Sequence, residues 1–97
     1  MKVTVARIYV TEGEHVHEKI FKRLHDEHKV MGVTVFRGVT GFGKSGKTHS
    51  STLLDVSFDL PVVVEFFDDA ENVKIALDSV SELIPPGHVL TFTADFS

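Results

Sequence analysis

Residues 41–48, GFGKSGKT, set two lysines among glycines in a pattern suited to binding phosphate. The segment fits G-x-x-x-x-G-K-[ST], in which backbone N–H groups and the lysine surround the phosphates of a nucleotide. Between Val35 and Leu54 the chain has three basic side chains and no acidic one, although its net charge is −4. A positive loop on an acidic body favours a phosphate-bearing ligand. Solvated lysines on a flexible loop are the alternative.

A nucleotide-hydrolysing P-loop also needs a helix directly behind it, because the helix N-terminus completes the phosphate site. After Thr48 the sequence HSSTLLDVSFDLP has no sustained helical stripe, and Pro61 prevents a longer helix. Glu65 or Asp68 could help to hold magnesium, but we expect their strand to run antiparallel to the strand before the loop. A small P-loop hydrolase or kinase therefore remains only as the alternative hypothesis.

Four histidines near the first predicted helix form two pairs, His15 with His17 and His25 with His28. Residues three positions apart share a helix face, so the second pair could ligate zinc or nickel. The chain has no cysteine to add a thiolate, and the neighbouring positions are polar. We therefore predict a surface histidine cluster and no metal site. Since no G-x-S-x-G elbow or defensible Ser-His-Asp set is present, we predict no catalytic residues and no enzyme.

The composition of the 97 residues, 42% apolar and 25% charged, is typical of one globular domain, which we assign to residues 1–97. The N-terminal segment lacks the long apolar core of a signal peptide. No apolar run approaches the roughly 20 residues of a membrane span. Without cysteines, nothing indicates disulfides or secretion. We expect a cytoplasmic protein.

Apolar residues recur with helical spacing in two segments. Val16, Ile20 and Leu24 share one face of a first helix, and Val73 and Val80 belong to the stripe of a second. Runs rich in β-branched residues predict four strands. In chain order the predicted elements are a strand at 3–10, a helix at 15–31, a strand at 32–37, a long loop at 38–59, a strand at 60–67, a helix from 68 or 69 to 84 and a strand at 88–92.

The order β-α-β-β-α-β predicts an α+β, ferredoxin-like fold. Right-handed crossovers place both helices on one face of a four-stranded antiparallel sheet, with the long loop between strands two and three. The third strand is apolar at Val62, Val63 and Val64, so both of its faces are expected to be buried. A second copy of the chain is the simplest cover for the face without helices. A sheet that tolerates exposed valines is the alternative.

Three segments combine into a pattern that covers nearly the whole chain. RIYV lies in the first strand, and RGVTGFG runs from Arg37 to Gly43. His49 and Ser50 follow, and then DLPVVVE from 59 to 65. Together these segments resemble the PII-like family of small uncharacterised proteins in the nitrogen-regulatory PII superfamily, which carries R-I-Y, R-G-x-x-G-F-G and D-L-P-[VI]-V-[VI]-E.

The resemblance implies a ferredoxin-like chain packed as a homotrimer. Residues 38–59 would correspond to the long, mobile T-loop of PII proteins. It implies a cytoplasmic signalling protein that binds an adenine nucleotide (AMP, ADP or ATP) in clefts between subunits, near the base of that loop. The partner would be an unidentified target protein, with a membrane-associated one among the candidates. No catalytic cofactor and no nucleic acid are implied.

We expect the ligand site at the base of the loop and at the turn before the last strand. Arg37 would contact phosphate, or else pair with a carboxylate as an edge arginine. The loop glycines permit a close approach of the backbone, or merely a flexible loop. Phe42 would stack on a base or fill a subunit cleft. Lys44, Lys47 and His49 would contact phosphate. The alternative is that the two lysines are solvated and that His49 forms a structural hydrogen bond. The predicted ligand residues are Arg37, Gly38, Gly41, Phe42, Gly43, Lys44, Lys47, His49, Pro86, Gly87 and His88.

Two further hypotheses stay open besides the hydrolase. The first is a nucleic-acid-binding ferredoxin-like domain. The net charge of −4 argues against it, as does the third strand, which lacks the basic, glycine and aromatic run of an RNA-recognition motif. The second is an oligomer with a structural role and no ligand.

Overall fold

The computed structural model describes residues 1–43, 48–50 and 60–97, so the predictions for Lys44 and Lys47 lie outside the described residues. The strands are β1 (Lys2–Thr11), β2 (Gly32–Arg37), β3 (Thr40–Phe42), β4 (Thr48–Ser50), β5 (Pro61–Asp68) and β6 (Val89–Asp95). The helices are α1 (Val16–Arg23) and α2 (Ala70–Val80). Short 3₁₀ turns lie at Glu12–Glu14 and Ser81–Leu83, and a π turn at Leu24–His28 extends α1.

Four strands form one sheet in the order β2-β5-β1-β6, and every neighbouring pair is antiparallel. In the register of the central strands, Ala6 lies opposite Phe66 and Ile8 opposite Val64. Both helices pack on the face that carries these four side chains. The predicted ferredoxin-like βαββαβ fold, a four-stranded antiparallel sheet with two helices on one face, is confirmed.

The core between the sheet and the helices follows the periodicity of the sequence. Ile20 in α1 and Leu24 at the start of the π turn face the sheet. The apolar stripe of α2 from Val73 to Val80 packs against the same face. Phe66 is completely buried at the centre. In the described ranges, no helix is long and apolar enough to cross a lipid bilayer. The core residues are Ala6, Ile8, Ile20, Leu24, Val64, Phe66, Val73, Ala76 and Val80.

Four segments differ from their predictions by more than one residue at an end. The second helix was predicted to reach residue 84, but α2 ends at Val80 and only a 3₁₀ turn continues to Leu83. The first helix was predicted to reach Met31, but α1 passes into the π turn, and Lys29 with φ of 47° ends the helical path. The last strand continues to Asp95, because its backbone pairs with β1 as far as Lys2. The predicted loop, residues 38–59, is here called the arm. It contains the antiparallel pair β3–β4. This pair was not predicted, because runs of three residues are too short to give a periodic pattern.

One buried carboxylate joins the end of β5 to α2 and to the segment before β2. Asp68 is only 8% exposed. It accepts hydrogen bonds from the backbone N–H of Met31 at 3.1 Å, the backbone N–H of Asp69 at 2.7 Å and Nδ2 of Asn72 at 3.1 Å. Asp69 is the N-cap of α2, and its carboxylate accepts from the backbone N–H of Asn72 at 2.8 Å. Asp68 therefore ties the end of β5 to the start of α2 and to the segment before β2.

Candidate functional site

Two of the predicted ligand regions lie at the same end of the sheet, where β1 and β2 finish and β5 and β6 begin. The register places Thr11 opposite Pro61, and Arg37 opposite Val62. His88 bonds to the backbone of β1 at this end. Arg37 ends β2 and His88 directly precedes β6, which are the two edge strands, so at the usual strand spacing their backbones are about 14 Å apart. The fold thus brings them to one end of the sheet but not into one pocket of a single chain.

Arg37 forms an ion pair with a residue that the sequence reasoning missed. Its Nη2 donates to Oε1 of Glu12, in the 3₁₀ turn that follows β1. The side chain of Glu12 is 17% exposed, whereas that of Arg37 is 64% exposed. A guanidinium has five N–H donors, so the pairing with Glu12 occupies only part of the hydrogen-bonding capacity of Arg37. The sequence signal that could have identified Glu12 was the acidic TEGE segment after the first strand. β1 and β2 run in the same direction and finish at the same end of the sheet, so this segment lies near Arg37.

The base of the arm packs tightly against the start of β5. Gly38 donates its backbone N–H to the carbonyl of Pro61 at 2.7 Å. A Cβ on Gly38 would lie 2.8 Å from Cγ of Pro61, and one on Gly41 would lie 3.4 Å from the same atom. A Cβ on Gly43 would meet no atom within 4 Å. The absence of a side chain at Gly38 therefore allows the two ends of the arm to meet.

Gly38→Ala is expected to lower the free energy of unfolding by about 1–2 kcal/mol, because the new methyl group forces the arm away from Pro61. Gly43→Ala is the matched control and should change it by less than about 0.5 kcal/mol. Urea unfolding of both variants, at equal protein concentration, measures the difference. Equal stabilities would contradict the tight contact at Gly38.

The GFGKSGKT segment begins and ends in the β3–β4 pair. Gly41 lies opposite His49, and Phe42 lies opposite Thr48. The side chain of Phe42 is exposed. A P-loop needs a helix that starts at the lysine and threonine, but residues 48–50 are strand. The backbone at Thr48 therefore does not fit a P-loop, and the hydrolase alternative loses its structural basis.

The turn before β6 presents an imidazole at the same end of the sheet. Gly87 has φ of 80°, a left-handed conformation that glycine adopts without strain. The carbonyl of His88 accepts from the backbone N–H of Tyr9 at 2.9 Å. Nδ1 of His88 lies 2.8 Å from the carbonyl oxygen of Tyr9. Since a carbonyl only accepts, Nδ1 carries the proton, and Nε2 is the nitrogen left to face a ligand.

Side chains on the other face of the sheet are largely aromatic and apolar around one ion pair. Nε of Arg7 donates to Oε1 of Glu65 at 2.8 Å, and the guanidinium lies 5.1 Å from the ring centroid of Phe92. The hydrogen bond from Arg7 to Glu65 raises the pKa of Arg7, while burial acts in the opposite direction. Both helices pack on the opposite face. We call this surface the open sheet face, formed by Arg7, Tyr9, Phe36, Val63, Glu65, Leu90 and Phe92.

Two of the histidines near α1, His15 and His25, each lie beside an acidic side chain. His25 stacks on Phe21 and lies 2.8 Å from Oδ1 of Asp26. The rings of His15 and His17 are 6.2 Å apart. Among the residues that the structure describes, no three histidine or carboxylate side chains are grouped so that they could hold a metal ion.

Comparison with known sequences gives a match along nearly the whole chain. Residues 2–95 match the family model DUF190, described as "Uncharacterized ACR". A UPF0166 protein of Aquifex aeolicus (strain VF5) is 36% identical over 73 residues, which are 75% of this chain and 74% of that protein. A UPF0166 protein of Methanocaldococcus jannaschii is 30% identical over 98 residues, covering 96% of this chain and 89% of that protein.

Solved structures with the same fold include CPII, a nitrogen regulatory PII-like protein from Thiomonas intermedia K12, bound to ADP and bicarbonate. Its TM-score is 0.67 at 21% identity, covering 99% of this chain and 87% of that one. The divalent cation tolerance protein of Thermus thermophilus has a TM-score of 0.64 at 18% identity, covering 100% and 85%. The resemblance to PII-like proteins is confirmed in the fold, and the chain belongs to the DUF190 family.

Proposed function

We propose that this protein is a homotrimeric, PII-like signalling protein that binds an adenine nucleotide between subunits and signals to a target protein through the arm. The observation that carries the proposal is the placement of Arg37 and His88 at one end of the sheet but at opposite edges. A cleft lined by both residues needs the β2 edge of one copy beside the β6 edge of another. The ligand would then bridge two copies of the chain.

The open sheet face supports the assembly. Tyr9, Phe36, Leu90 and Phe92 are all partly exposed in the single chain, and together they form the kind of apolar surface that proteins cover. The two charges at the centre of this face, Arg7 and Glu65, are already paired with each other within the chain. Burial against a second copy therefore leaves no charge without a partner. We infer that three copies pack this face around a common axis.

The groups at the end of the sheet support an anionic ligand. The guanidinium of Arg37 is exposed and recognises phosphate through charge-assisted hydrogen bonds, and Nε2 of His88 is the ring nitrogen left to face a ligand. CPII, which shares the fold, was solved with ADP and AMP. We infer that an adenine nucleotide is the ligand, that its phosphates reach Arg37, and that the protein acts as a sensor and not as an enzyme.

Titration calorimetry with AMP, ADP and ATP tests the proposal. The unaltered protein should bind at least one of them, and Arg37→Gln should weaken binding by about tenfold through the loss of a charged hydrogen bond to phosphate. Arg23→Gln is the control, since Arg23 pairs with Glu82 in the helix layer. No heat with any nucleotide would remove the ligand from the proposal. An unchanged affinity in Arg37→Gln would remove that residue from the site.

A further inference from the structure

Glu12 holds both ends of the arm. Its carboxylate pairs with Arg37, directly before the arm, and its backbone N–H donates to the carbonyl of Leu60, directly after the arm, at 2.9 Å. The two ends also meet each other, through the hydrogen bond from Gly38 to Pro61. We call Glu12, Arg37 and Leu60 the clasp. Its side-chain half depends on the same guanidinium that is proposed to contact the ligand.

The two partners of the ion pair differ in their environment. The carboxylate of Glu12 is mostly buried, and a buried carboxylate is costly without a counter-charge. Arg37 is mostly exposed, so it can reach a ligand in solvent. A phosphate that approaches Arg37 meets a neutral pair instead of a free cation. Once it is bound, it lies near a like charge on Glu12.

We propose that Glu12 determines both the affinity for phosphate and the response of the arm. The ligand phosphate exchanges with the Glu12 carboxylate on the guanidinium of Arg37. The exchange breaks the side-chain half of the clasp and leaves the backbone bond to Leu60, so ligand occupancy changes how the arm is held. This inference rests on the proposed function, because it requires Arg37 to contact the nucleotide.

Calorimetry of Glu12→Gln with AMP, ADP and ATP tests the exchange. Loss of the competing charge should tighten ADP binding by about fivefold, as expected for a partly exposed ion pair. The gain should be larger for ATP than for AMP, because the repulsion removed grows with the charge of the ligand. Glu82→Gln is the matched control, since it removes a glutamate that pairs with an arginine in the helix layer, and its affinities should stay unchanged.

A label on the arm tests the second half of the proposal. The chain has no cysteine, so Val39→Cys, at a position that is 79% exposed and outside the predicted ligand set, provides a single site for a spin label. ADP should change the spectrum of the labelled protein. Glu12→Gln should show the same change without any nucleotide, and Glu82→Gln should not. Glu12→Asp keeps the charge but shortens its reach, so it should change the spectrum without the added gain for ATP.

The outcomes separate this inference from the proposed function. If neither the unaltered protein nor Glu12→Gln binds a nucleotide, the proposed function is wrong and the exchange with it. If both bind equally well and the label spectra match, only the exchange is wrong. Weaker binding by Glu12→Gln also overturns it, because Glu12 would then position Arg37 for the ligand and not compete with it. Trimer content of each variant, measured by light scattering, shows that the comparison is between intact assemblies.

Discussion

Leu90→Asp is expected to convert the proposed trimer into single chains. Leu90 lies on β6 opposite Arg7, on the open sheet face, and is 48% exposed in the single chain. In the proposed trimer this surface is covered, and the neighbouring Arg7 is already neutralised by Glu65, so the new carboxylate would bury one uncompensated negative charge. The cost is several kcal/mol for each ion, and it is incurred once in every copy. The nucleotide cleft should be lost together with the assembly, since it needs the edges of two copies.

Ile75→Asp is the matched control for this prediction. Ile75 is 49% exposed, almost equal to Leu90, but it lies on α2 in the helix layer. The same charge at the same exposure should leave the assembly intact there. Sedimentation equilibrium of both variants at one protein concentration distinguishes trimers from single chains. A trimer that survives Leu90→Asp would show that the open sheet face is not the interface.

Asp68→Ala is expected to lower the free energy of unfolding by about 3 kcal/mol. The substitution removes the acceptor of the backbone N–H groups of Met31 and Asp69 and one of the two acceptors of the Asn72 amide, which keeps its bond to Asp69. Each unsatisfied donor costs about 1 kcal/mol or more when it is partly buried. The loss separates the start of α2 and the segment before β2 from the end of β5.

The neighbouring residue provides the control. Asp69→Ala removes the N-cap of α2 and should cost only about 1 kcal/mol. Urea unfolding of both variants at a fixed protomer concentration gives the comparison, because assembly makes stability depend on concentration. If Asp69→Ala were the more damaging of the two, the buried carboxylate of Asp68 would not be the main tie between these elements.

The sequence was sufficient for the fold because burial imposes a period on each element. A helix that packs on a sheet must repeat its apolar residues at helical spacing, as Ile20 and Leu24 do in α1 and its π extension. The central strand β5 was located by its run of β-branched residues, although both of its faces were expected to be buried and in the single chain only alternate residues are. These patterns are local, so the elements could be found without knowing their neighbours. The pair β3–β4 was missed, because three residues show no period.

The candidate site was predictable in part, since glycines and charged residues in one loop form a local pattern. Arg37 and His88 were both predicted from the residues and the family resemblance, and the structure places them at one end of the sheet. Glu12 was missed, because its pairing with Arg37 joins residues that are distant in the chain. The close contact of Gly38 with Pro61 was missed for the same reason.

The order of the elements, their buried faces and the identity of the charged residues near the arm were determined by the sequence alone, because each depends on neighbours along the chain. Strand order and register were decided by the tertiary structure. They bring the Glu12 carboxylate to Arg37, and they separate Arg37 from His88 by two strands. Since charges interact over distances in space and not along the chain, the pairing of Glu12 with Arg37 could be found only from the folded molecule.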